Sequence, residues 1–367
     1  MGLLSPLLSG SSGTSSDALT ITSPRSLRRW WDALATANAS PAVASFHGDS
    51  IALGGYAGGT TAGAFRLNGF VSQFRQRAEA VYGQTAGGII KVQAEYDEVT
   101  LTGGSTSGTT GPMQQGYQIP AGATITVAPV RRCTGFTVAF WSGGGAFSWA
   151  VDGGAATTIT PAGGDTIQTT TISGLTDATH SLVLTGVGTA HVSWVRPTYA
   201  ATGVVVDRLA RSGATANHLA YQTTASANRT RVFDASFKAT GADLNVIQVG
   251  PNDISAGAPT AADFKTLLQA AADYIATTAG GCTLLVAGPR FAGDQTTANT
   301  YYDGMRQIAE ATDHVAFVDL MEAWTSFETV NQADLDFMYD TIHPNALGHA
   351  SLGRLLVNTL LTPQPVA

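Results

Sequence analysis

Residues from about 93 to 203 show a period-two alternation of apolar and polar positions. Segments such as 123–128 and 136–141 alternate in this way, and turn clusters such as Asp152-Gly-Gly separate them. Eight such segments, spaced by about ten residues, predict short antiparallel strands. This pattern is typical of a β-sandwich or jelly roll.

The rest of the chain has a different rhythm, in which apolar runs alternate with segments of helical spacing. The apolar runs are 42–46, 204–209, 244–249, 282–287 and 315–320, and the helical segments are 68–82, 261–278, 300–312 and 346–361. Strands that are apolar along nearly their whole length and alternate with helices predict a parallel sheet covered on both faces. The predicted fold class is therefore α/β, a three-layer α/β/α domain interrupted by an inserted antiparallel β-sandwich of jelly-roll type.

These changes of pattern predict five segments along the chain. They are a lead-in or linker at 1–40, the first part of the α/β domain at 41–92, the inserted β domain at 93–203, the second part of the α/β domain at 204–363 and a tail at 364–367. Residues 9–16 have the Ser/Gly composition of a flexible linker, and 23–35 could form a short helix with Ser23 as N-cap.

Composition and charge narrow the range of partners. Of 367 residues, 44% are hydrophobic and 12% are charged, with 19 basic against 26 acidic side chains and a net charge of −7. A chain with this apolar content is not disordered, and it lacks the clustered basic charge that a nucleic-acid surface needs. No apolar run is long enough to span a membrane, and the first residues lack the features of a secretory signal. We expect no nucleic-acid partner and no membrane span.

Cysteine count and motif content argue against a bound cofactor. Cys133 and Cys282 are the two cysteines of the chain and lie in different predicted domains, so a disulfide framework and a cysteine zinc site are excluded. Nucleotide-binding glycine loops and the His-Glu-x-x-His zinc motif are absent. His343 and His349 are six residues apart, which does not place two ligands on one helical face. We expect neither a metal nor another cofactor.

Four short polar motifs adjoin the predicted parallel strands and the last helix. They are Gly48-Asp49-Ser50, Ser212-Gly213-Ala-Thr215, Gly250-Pro251-Asn252-Asp253 and Asp340-Thr-Ile-His343-Pro-Asn345. Each one alone is most simply a turn or a helix cap. The first three follow strands of the α/β domain, and open α/β sheets place their sites at the carboxyl ends of such strands. Their joint occurrence in this order therefore indicates one active site.

This set of motifs resembles the four blocks of the SGNH (GDSL) hydrolase family. The resemblance covers about 41–92 and 204–363 and does not extend to the lead-in or the β insert. It implies the SGNH-type three-layer fold and a serine esterase with Ser50 as nucleophile, His343 as base and Asp340 as the residue that orients the base. Pro251 occupies a variable position of its block and leaves these assignments intact.

The chemistry of the residue types agrees with these roles. A serine hydroxyl is a poor nucleophile until an adjacent base takes its proton, and imidazole is the side chain that titrates near neutrality. Asp340 stands three residues before His343, close enough to hold the second ring nitrogen. The resemblance also implies an oxyanion hole formed by the backbone N–H groups of Ser50 and Gly213 and the side chain of Asn252. His47, Asp49 and Asp253 are interpreted as structural supports.

The function of the insert is less clearly written in the sequence. Its aromatic residues are of the kind on which sugars stack, although the same residues would also fill a sandwich core. They are Tyr117, Phe136, Phe140, Trp141, Phe147, Trp149 and Trp194. Some family members that deacetylate cell-wall glycans carry a carbohydrate-binding-like β domain inside the catalytic domain, and 149–154 and 175–184 are similar in texture to such modules.

The preferred function is therefore a serine esterase that removes O-acetyl or other short acyl groups from a polysaccharide or cell-wall glycan through an acyl-enzyme. Its partner would be an acylated glycan or another ester. One alternative is a lipase or thioesterase acting on longer acyl chains. Another is a phage tail or adhesion protein whose β domain binds a cell surface. An extracellular or virion-associated location is favoured, with possible association with a virion or a cell surface.

Overall fold

The structure is a computed structural model that describes residues 19–58, 68–83, 85, 87–94, 96–199, 202–221, 226–288, 295–324 and 336–361. The strands in these ranges are β1 (Ala42–Gly48), β2 (Ile90–Lys91), β3 (Val99–Thr102), β4 (Ser105–Ser107), β5 (Gly116–Ile119), β6 (Thr124–Val127), β7 (Gly135–Trp141), β8 (Phe147–Val151), β9 (Thr157–Ile159), β10 (Ile167–Ile172), β11 (Leu182–Gly186), β12 (Ala190–Thr198), β13 (Val204–Arg208), β14 (Leu244–Gln248), β15 (Cys282–Ala287) and β16 (Val315–Asp319). The α-helices are α1 (Arg28–Ala35), α2 (Ser50–Leu53), α3 (Phe70–Tyr82), α4 (Ala216–Ala220), α5 (Ala227–Phe233), α6 (Pro251–Ala256), α7 (Ala261–Tyr274), α8 (Gln295–Ala311), α9 (Met321–Trp324) and α10 (Ala346–Leu360). The predicted linker at 9–16 and the tail at 364–367 lie outside the described residues.

A parallel sheet forms the centre of the α/β domain, with the strands in the order β13–β1–β14–β15–β16. Every residue of β14 and of β15 is buried, which is why these strands read as near-continuous apolar runs. One face packs against α3 and α10, and the other packs against α7 and α8. The predicted three-layer α/β/α class is confirmed.

The strand order places one crevice beside the carboxyl end of β1. The next two strands of this sheet along the chain, β13 and β14, pair with β1 on opposite sides. The loops that follow all three strands therefore open at the same edge of the sheet, at the point where the strand order reverses. Three of the four motifs lie on these loops.

The residues just before β1 belong to the core rather than to a linker. Leu19, Leu27, Trp30 and Leu34 are buried in the same cluster as the sheet. The Trp30 indole N–H donates to the carbonyl oxygen of Leu360 at 2.9 Å. The described part of the predicted 1–40 lead-in thus differs from the expectation, because one face of α1 carries tryptophan and leucine that only a packed helix can bury. Ser23 caps no helix with its side chain, since its hydroxyl donates to the Ala309 carbonyl.

The insert consists of two antiparallel sheets that share one apolar core. One sheet has the order β10–β7–β12–β5–β4, with β2 also paired to β12, and the other has the order β3–β6–β11–β8–β9. The core contains Phe136, Phe140 and Phe147 together with apolar residues from both sheets. This arrangement agrees with the predicted inserted β domain. Strand β2 lies on the α/β side of the predicted boundary at 92 yet pairs with the β domain.

Most of the insert's aromatic residues have structural positions. Tyr117, Phe136, Phe140, Phe147 and Trp194 are buried. Trp141 and Trp149 are half-buried, and the Trp141 ring lies 4.8 Å from the guanidinium of Arg231 on α5. Filling of the core therefore explains this group better than a sugar-stacking face does. No helix in the described ranges is long and apolar enough to cross a membrane.

Candidate active site

A tight turn at the end of β1 places Ser50 at the start of helix α2. Asp49 caps this helix, its Oδ1 accepting the Ile51 N–H at 2.8 Å. A Cβ on Gly48 would lie 2.4 Å from the Gln248 carbonyl oxygen and 2.5 Å from the Cβ of Ala52. Only glycine therefore lets β1 turn here against β14, and the turn leaves the Ser50 side chain half-buried at the crevice.

Ser50, His343 and Asp340 form a continuous line of hydrogen bonds. Ser50 Oγ lies 2.9 Å from His343 Nε2, and His343 Nδ1 lies 2.8 Å from Asp340 Oδ2. The residues come from opposite ends of the α/β domain, 293 positions apart for Ser50 and His343. A carboxylate on Nδ1 holds the proton there and leaves the Nε2 lone pair directed at the serine hydroxyl.

The turn that carries His343 is built around the Asp340 carboxylate. Asp340 Oδ1 accepts the backbone N–H groups of Ile342 and His343, each at 2.7 Å. Partial burial works to raise the pKa of Asp340, but the hydrogen bonds from His343 and Ile342 outweigh it and the pKa lies below its ordinary value. The carboxylate is thus ionised at neutral pH and serves as a fixed acceptor for the imidazole.

The loop after β13 lies directly against the nucleophile turn. The Arg211 N–H donates to the Gly48 carbonyl oxygen at 2.9 Å, and the Ala214 N–H closes a turn onto the Arg211 carbonyl. Gly213, exposed within this turn, has φ of +69°. That is a left-handed conformation in which glycine is favoured.

Asn252, from the loop after β14, contacts the same turn. Its Nδ2 donates to the Ala214 carbonyl oxygen at 3.0 Å. The structure therefore joins the segments that carry Ser50, Gly213 and Asn252 through direct hydrogen bonds. The Asn252–Ala214 bond was not expected from the sequence, and it uses one of the two amide hydrogens.

Three buried titratable groups surround the site. Burial raises the pKa of Asp49 to about 7 and that of Asp253 to about 7. Asp253 Oδ1 accepts the Ala216 N–H at 2.9 Å, and Asp49 also accepts from the side chain of Gln248. Burial lowers the pKa of His47 to about 4. Asp49 and Asp253 thus hold the loops through these partners, whereas His47 Nε2 lies 3.2 Å from Asn245 Oδ1 on the neighbouring strand β14.

His349 connects the last helix to the nucleophile segment, a contact that sequence reasoning missed. Its Nδ1 accepts the Phe70 N–H at 3.3 Å, so Nε2 carries the proton and donates to the Gly55 carbonyl at 3.0 Å. Gly55 in turn donates its N–H to the Ser50 carbonyl at 2.7 Å. Burial lowers the pKa of His349 to about 4, so this ring stays neutral.

Two tyrosines beside His343 also escaped the sequence analysis. The Tyr56 and Tyr339 rings stack at 4.5 Å with an interplanar angle of 17°, and the Tyr56 ring lies 4.6 Å from that of His343. Tyr339 is 55% exposed, unusual for a large aromatic residue. Their only sequence signal is proximity to two of the motifs, which does not distinguish them from other loop residues. Among the described residues, no group of three or more His, Cys, Asp or Glu side chains could hold a metal ion.

Part of the chain matches a known protein family. Residues 174–351 match the sequence model of the GDSL-like Lipase/Acylhydrolase family. The match includes Asn252, Asp340 and His343, and it begins after Ser50, which the insert separates from the rest of the domain. Residues 174–351 are therefore similar to a GDSL-type hydrolase domain, and this similarity supports an esterase. No curated protein matches the sequence.

Several solved structures align with this chain at low sequence identity. A peptidoglycan O-acetylesterase aligns with a TM-score of 0.65 and 15% identity over 91% of this chain and 94% of its own. A family two carbohydrate esterase from Cellvibrio japonicus aligns with a TM-score of 0.30 and 13% identity, over 75% and 97% of the two chains. A lipase/acylhydrolase from Enterococcus faecalis aligns with a TM-score of 0.34 and 20% identity, over 42% and 75%. The first alignment shows that this chain and the peptidoglycan O-acetylesterase have similar folds over most of their lengths.

Proposed function

We propose that the protein is a serine esterase that removes O-acetyl groups from a polysaccharide or cell-wall glycan through an acyl-enzyme on Ser50. The observation that carries this proposal is the hydrogen-bonded line of Ser50, His343 and Asp340. A nucleophile next to a base that is itself oriented by a carboxylate is the arrangement that activates serine on unrelated folds.

In the first step, Ser50 Oγ attacks the acyl carbon while His343 Nε2 takes the hydroxyl proton. The carbonyl π electrons move to oxygen, and the oxyanion is stabilised by the N–H groups of Ser50 and Gly213 and by the second amide hydrogen of Asn252. Collapse of this intermediate breaks the ester bond. The departing sugar oxygen takes the proton from His343 and leaves acetyl-Ser50.

In the second step, water attacks acetyl-Ser50 and gives a proton to His343 Nε2. The second tetrahedral intermediate uses the same oxyanion donors, and its collapse returns that proton to Ser50 and releases acetic acid. Asp340 stays ionised throughout and stabilises the imidazolium that forms in each step.

Two observations support acetyl and glycan as the substrate chemistry. The solved structure that aligns along most of both chains is named as a peptidoglycan O-acetylesterase. The exposed Tyr339 ring beside the base also offers a flat apolar face of the kind that packs on a sugar ring. Neither observation depends on the β domain binding sugar.

Hydrolysis of p-nitrophenyl acetate and p-nitrophenyl octanoate, with Ser50→Ala beside the wild type, tests the proposal. We expect turnover of acetate with little of octanoate, and a loss of roughly 10⁵–10⁶-fold in kcat in Ser50→Ala. Acetate release from an acetylated glycan is the following assay. A preference for octanoate would favour the lipase or thioesterase alternative. Absence of Ser50-dependent hydrolysis of either ester and of the glycan would favour a surface-binding protein.

A further inference from the structure

The β domain contacts the loop that carries Gly213 at both of its ends. This loop, residues 210–217, is called the oxyanion loop below. The Lys91 ammonium group, on the β2 strand that pairs with the β domain, donates to the Ala210 carbonyl oxygen. At the other end, the Gln114 side-chain amide donates to the Asn217 carbonyl oxygen at 2.7 Å. Both contacts hold backbone carbonyl groups of the loop.

The middle of the oxyanion loop contacts the β domain through Met113. The Arg211 guanidinium donates to the Met113 carbonyl oxygen at 3.1 Å. The Met113 side chain is fully buried in the apolar cluster that includes Ala214, Ala216 and Leu219 of the α/β domain. A residue of the insert thus fills space beneath the loop that presents Gly213.

The backbone at this contact has an unusual conformation. Met113 has φ of +51° and Gln114 has φ of +60°, the left-handed region that residues with a Cβ rarely occupy. Such conformations are strained for residues with a Cβ and persist where the surrounding contacts hold them in place. Here the contacts of Met113 and Gln114 with the oxyanion loop supply that determination.

We propose that Lys91, Met113 and Gln114 are positioning residues that hold the oxyanion loop so that the Gly213 N–H faces the reacting carbonyl. The β domain is then an integral part of the catalytic centre, whether or not it binds sugar. This inference rests on the proposed function, because it assigns the oxyanion role to Gly213. Donors in an oxyanion hole stabilise the transition state only when they are held in place beforehand, which is the task of these contacts.

Variants of Met113 and Gln114 test the proposal, with p-nitrophenyl acetate as substrate. We expect Gln114→Ala to lower kcat by about threefold to tenfold and Met113→Ala by about tenfold or more, below the ~10²–10³ of a lost donor. KM should stay within about twofold of the wild-type value, because ground-state binding is untouched. The pH profile should keep its wild-type shape, because the His343–Asp340 pair is untouched. Met113→Leu, which keeps the apolar volume, should restore most of the kcat.

Asp165→Ala is the matched control. It removes the ion pair between Asp165 of the β domain and Arg231 of α5, which crosses between the domains without touching the oxyanion loop. We expect wild-type kcat in this variant, and thermal unfolding shows whether each variant is folded. Gln114 is half-buried at the surface, so Gln114→Ala retains the fold even if Met113→Ala does not.

Wild-type kcat in folded Gln114→Ala and Met113→Ala would overturn the proposal, and so would a rise in KM at unchanged kcat. An equal loss of kcat in Asp165→Ala would also overturn it, since any interdomain contact would then matter. If Ser50→Ala keeps the wild-type activity, the proposed function itself fails, which the other variants cannot imitate.

Discussion

The nucleophile and base are supported from within the α/β domain, whereas the oxyanion loop is supported partly by the inserted β domain. On the nucleophile side, the His349 ring donates a hydrogen bond to the Gly55 carbonyl, and the Gly55 N–H donates to the Ser50 carbonyl. All three residues belong to the α/β domain. On the oxyanion side, Lys91 and Gln114 of the β-domain side bond the two ends of the loop.

Under the proposal made above, an inserted domain supports one side of the active site and not the other. The hydrogen bonds described above on the nucleophile side come from elements of the α/β domain. The oxyanion loop directly follows β13, the strand with which the chain re-enters the parallel sheet after the insert. The loop contacts the insert through Met113 and Gln114. The two sides should therefore respond differently to substitution.

After the loss of the nucleophile itself in Ser50→Ala, the largest effect is expected from Asp340→Asn, on the nucleophile side. The amide keeps the size of the side chain but cannot hold the imidazole as a charged acceptor does, so kcat should fall by roughly 10²–10⁴-fold. KM should change little, because the lost interaction strengthens in the transition state. Steady-state kinetics on p-nitrophenyl acetate measures both constants, and a loss under about threefold would remove Asp340 from the proposed triad.

On the oxyanion side, Asn252→Ala should cost about 10²–10³ in kcat. The pH profile should keep its wild-type shape, because the line from Ser50 to Asp340 is intact. Combining Asn252→Ala with Gln114→Ala should give less than the product of the single losses, since both act on one oxyanion. Combining Gln114→Ala with Asp340→Asn should be closer to multiplicative. The reverse pattern in these double variants would break the comparison between the two sides.

A smaller effect is expected at the mouth of the site, from Tyr339→Ala. Loss of a stacking face worth about 0.5–1.5 kcal/mol should raise KM for an acetylated glycan by roughly twofold to tenfold. KM for p-nitrophenyl acetate should stay unchanged, because that ester has no sugar ring to stack. Tyr339→Phe keeps the ring and serves as the control. Equal changes on both substrates would argue against a sugar contact.

The last effect concerns the stability of the nucleophile side rather than its kinetics. Burial lowers the pKa of His349 to about 4, while an unfolded histidine titrates near ~6.5. Between these two pKa values, His349 is protonated in the unfolded chain and neutral in the folded protein. The stability that His349 contributes is therefore lost as pH falls from ~6.5 towards 4. The free energy of unfolding of wild type minus His349→Gln should therefore shrink between pH 7 and 5, by at most about 1.4 kcal/mol per pH unit. Urea titrations at both values measure it, and a constant difference would show that His349 is not buried as a neutral ring.

Some secondary-structure elements were predicted from the sequence, whereas others were missed. Strands β14 and β15 were found because most of their residues are apolar, as is typical of buried parallel strands. Strand β4 was missed because its Ser-Thr-Ser sequence has no apolar position and lies at a sheet edge. The buried face of α1 was missed because a Ser/Gly-rich stretch precedes it and the partner of Trp30 lies at the other end of the chain.

The candidate site divides in the same way. Ser50, Gly213, Asn252, Asp340 and His343 were chosen from ordered local motifs, and their catalytic roles stay predictions until kinetics tests them. The bond from His349 to Gly55 spans 294 positions, and the Gln114 contact spans 103. Such contacts depend on how packed elements approach one another, which no local pattern records.

Trapping the acyl-enzyme tests the central claim most directly. Wild type is mixed with p-nitrophenyl acetate and quenched in acid during turnover, and the digested protein is analysed by mass spectrometry. We expect one acetyl group on the peptide that contains Ser50, its loss as substrate is exhausted, and none on the same peptide of Ser50→Ala. Turnover with Ser50 unmodified and an acetyl group on another residue would contradict the account.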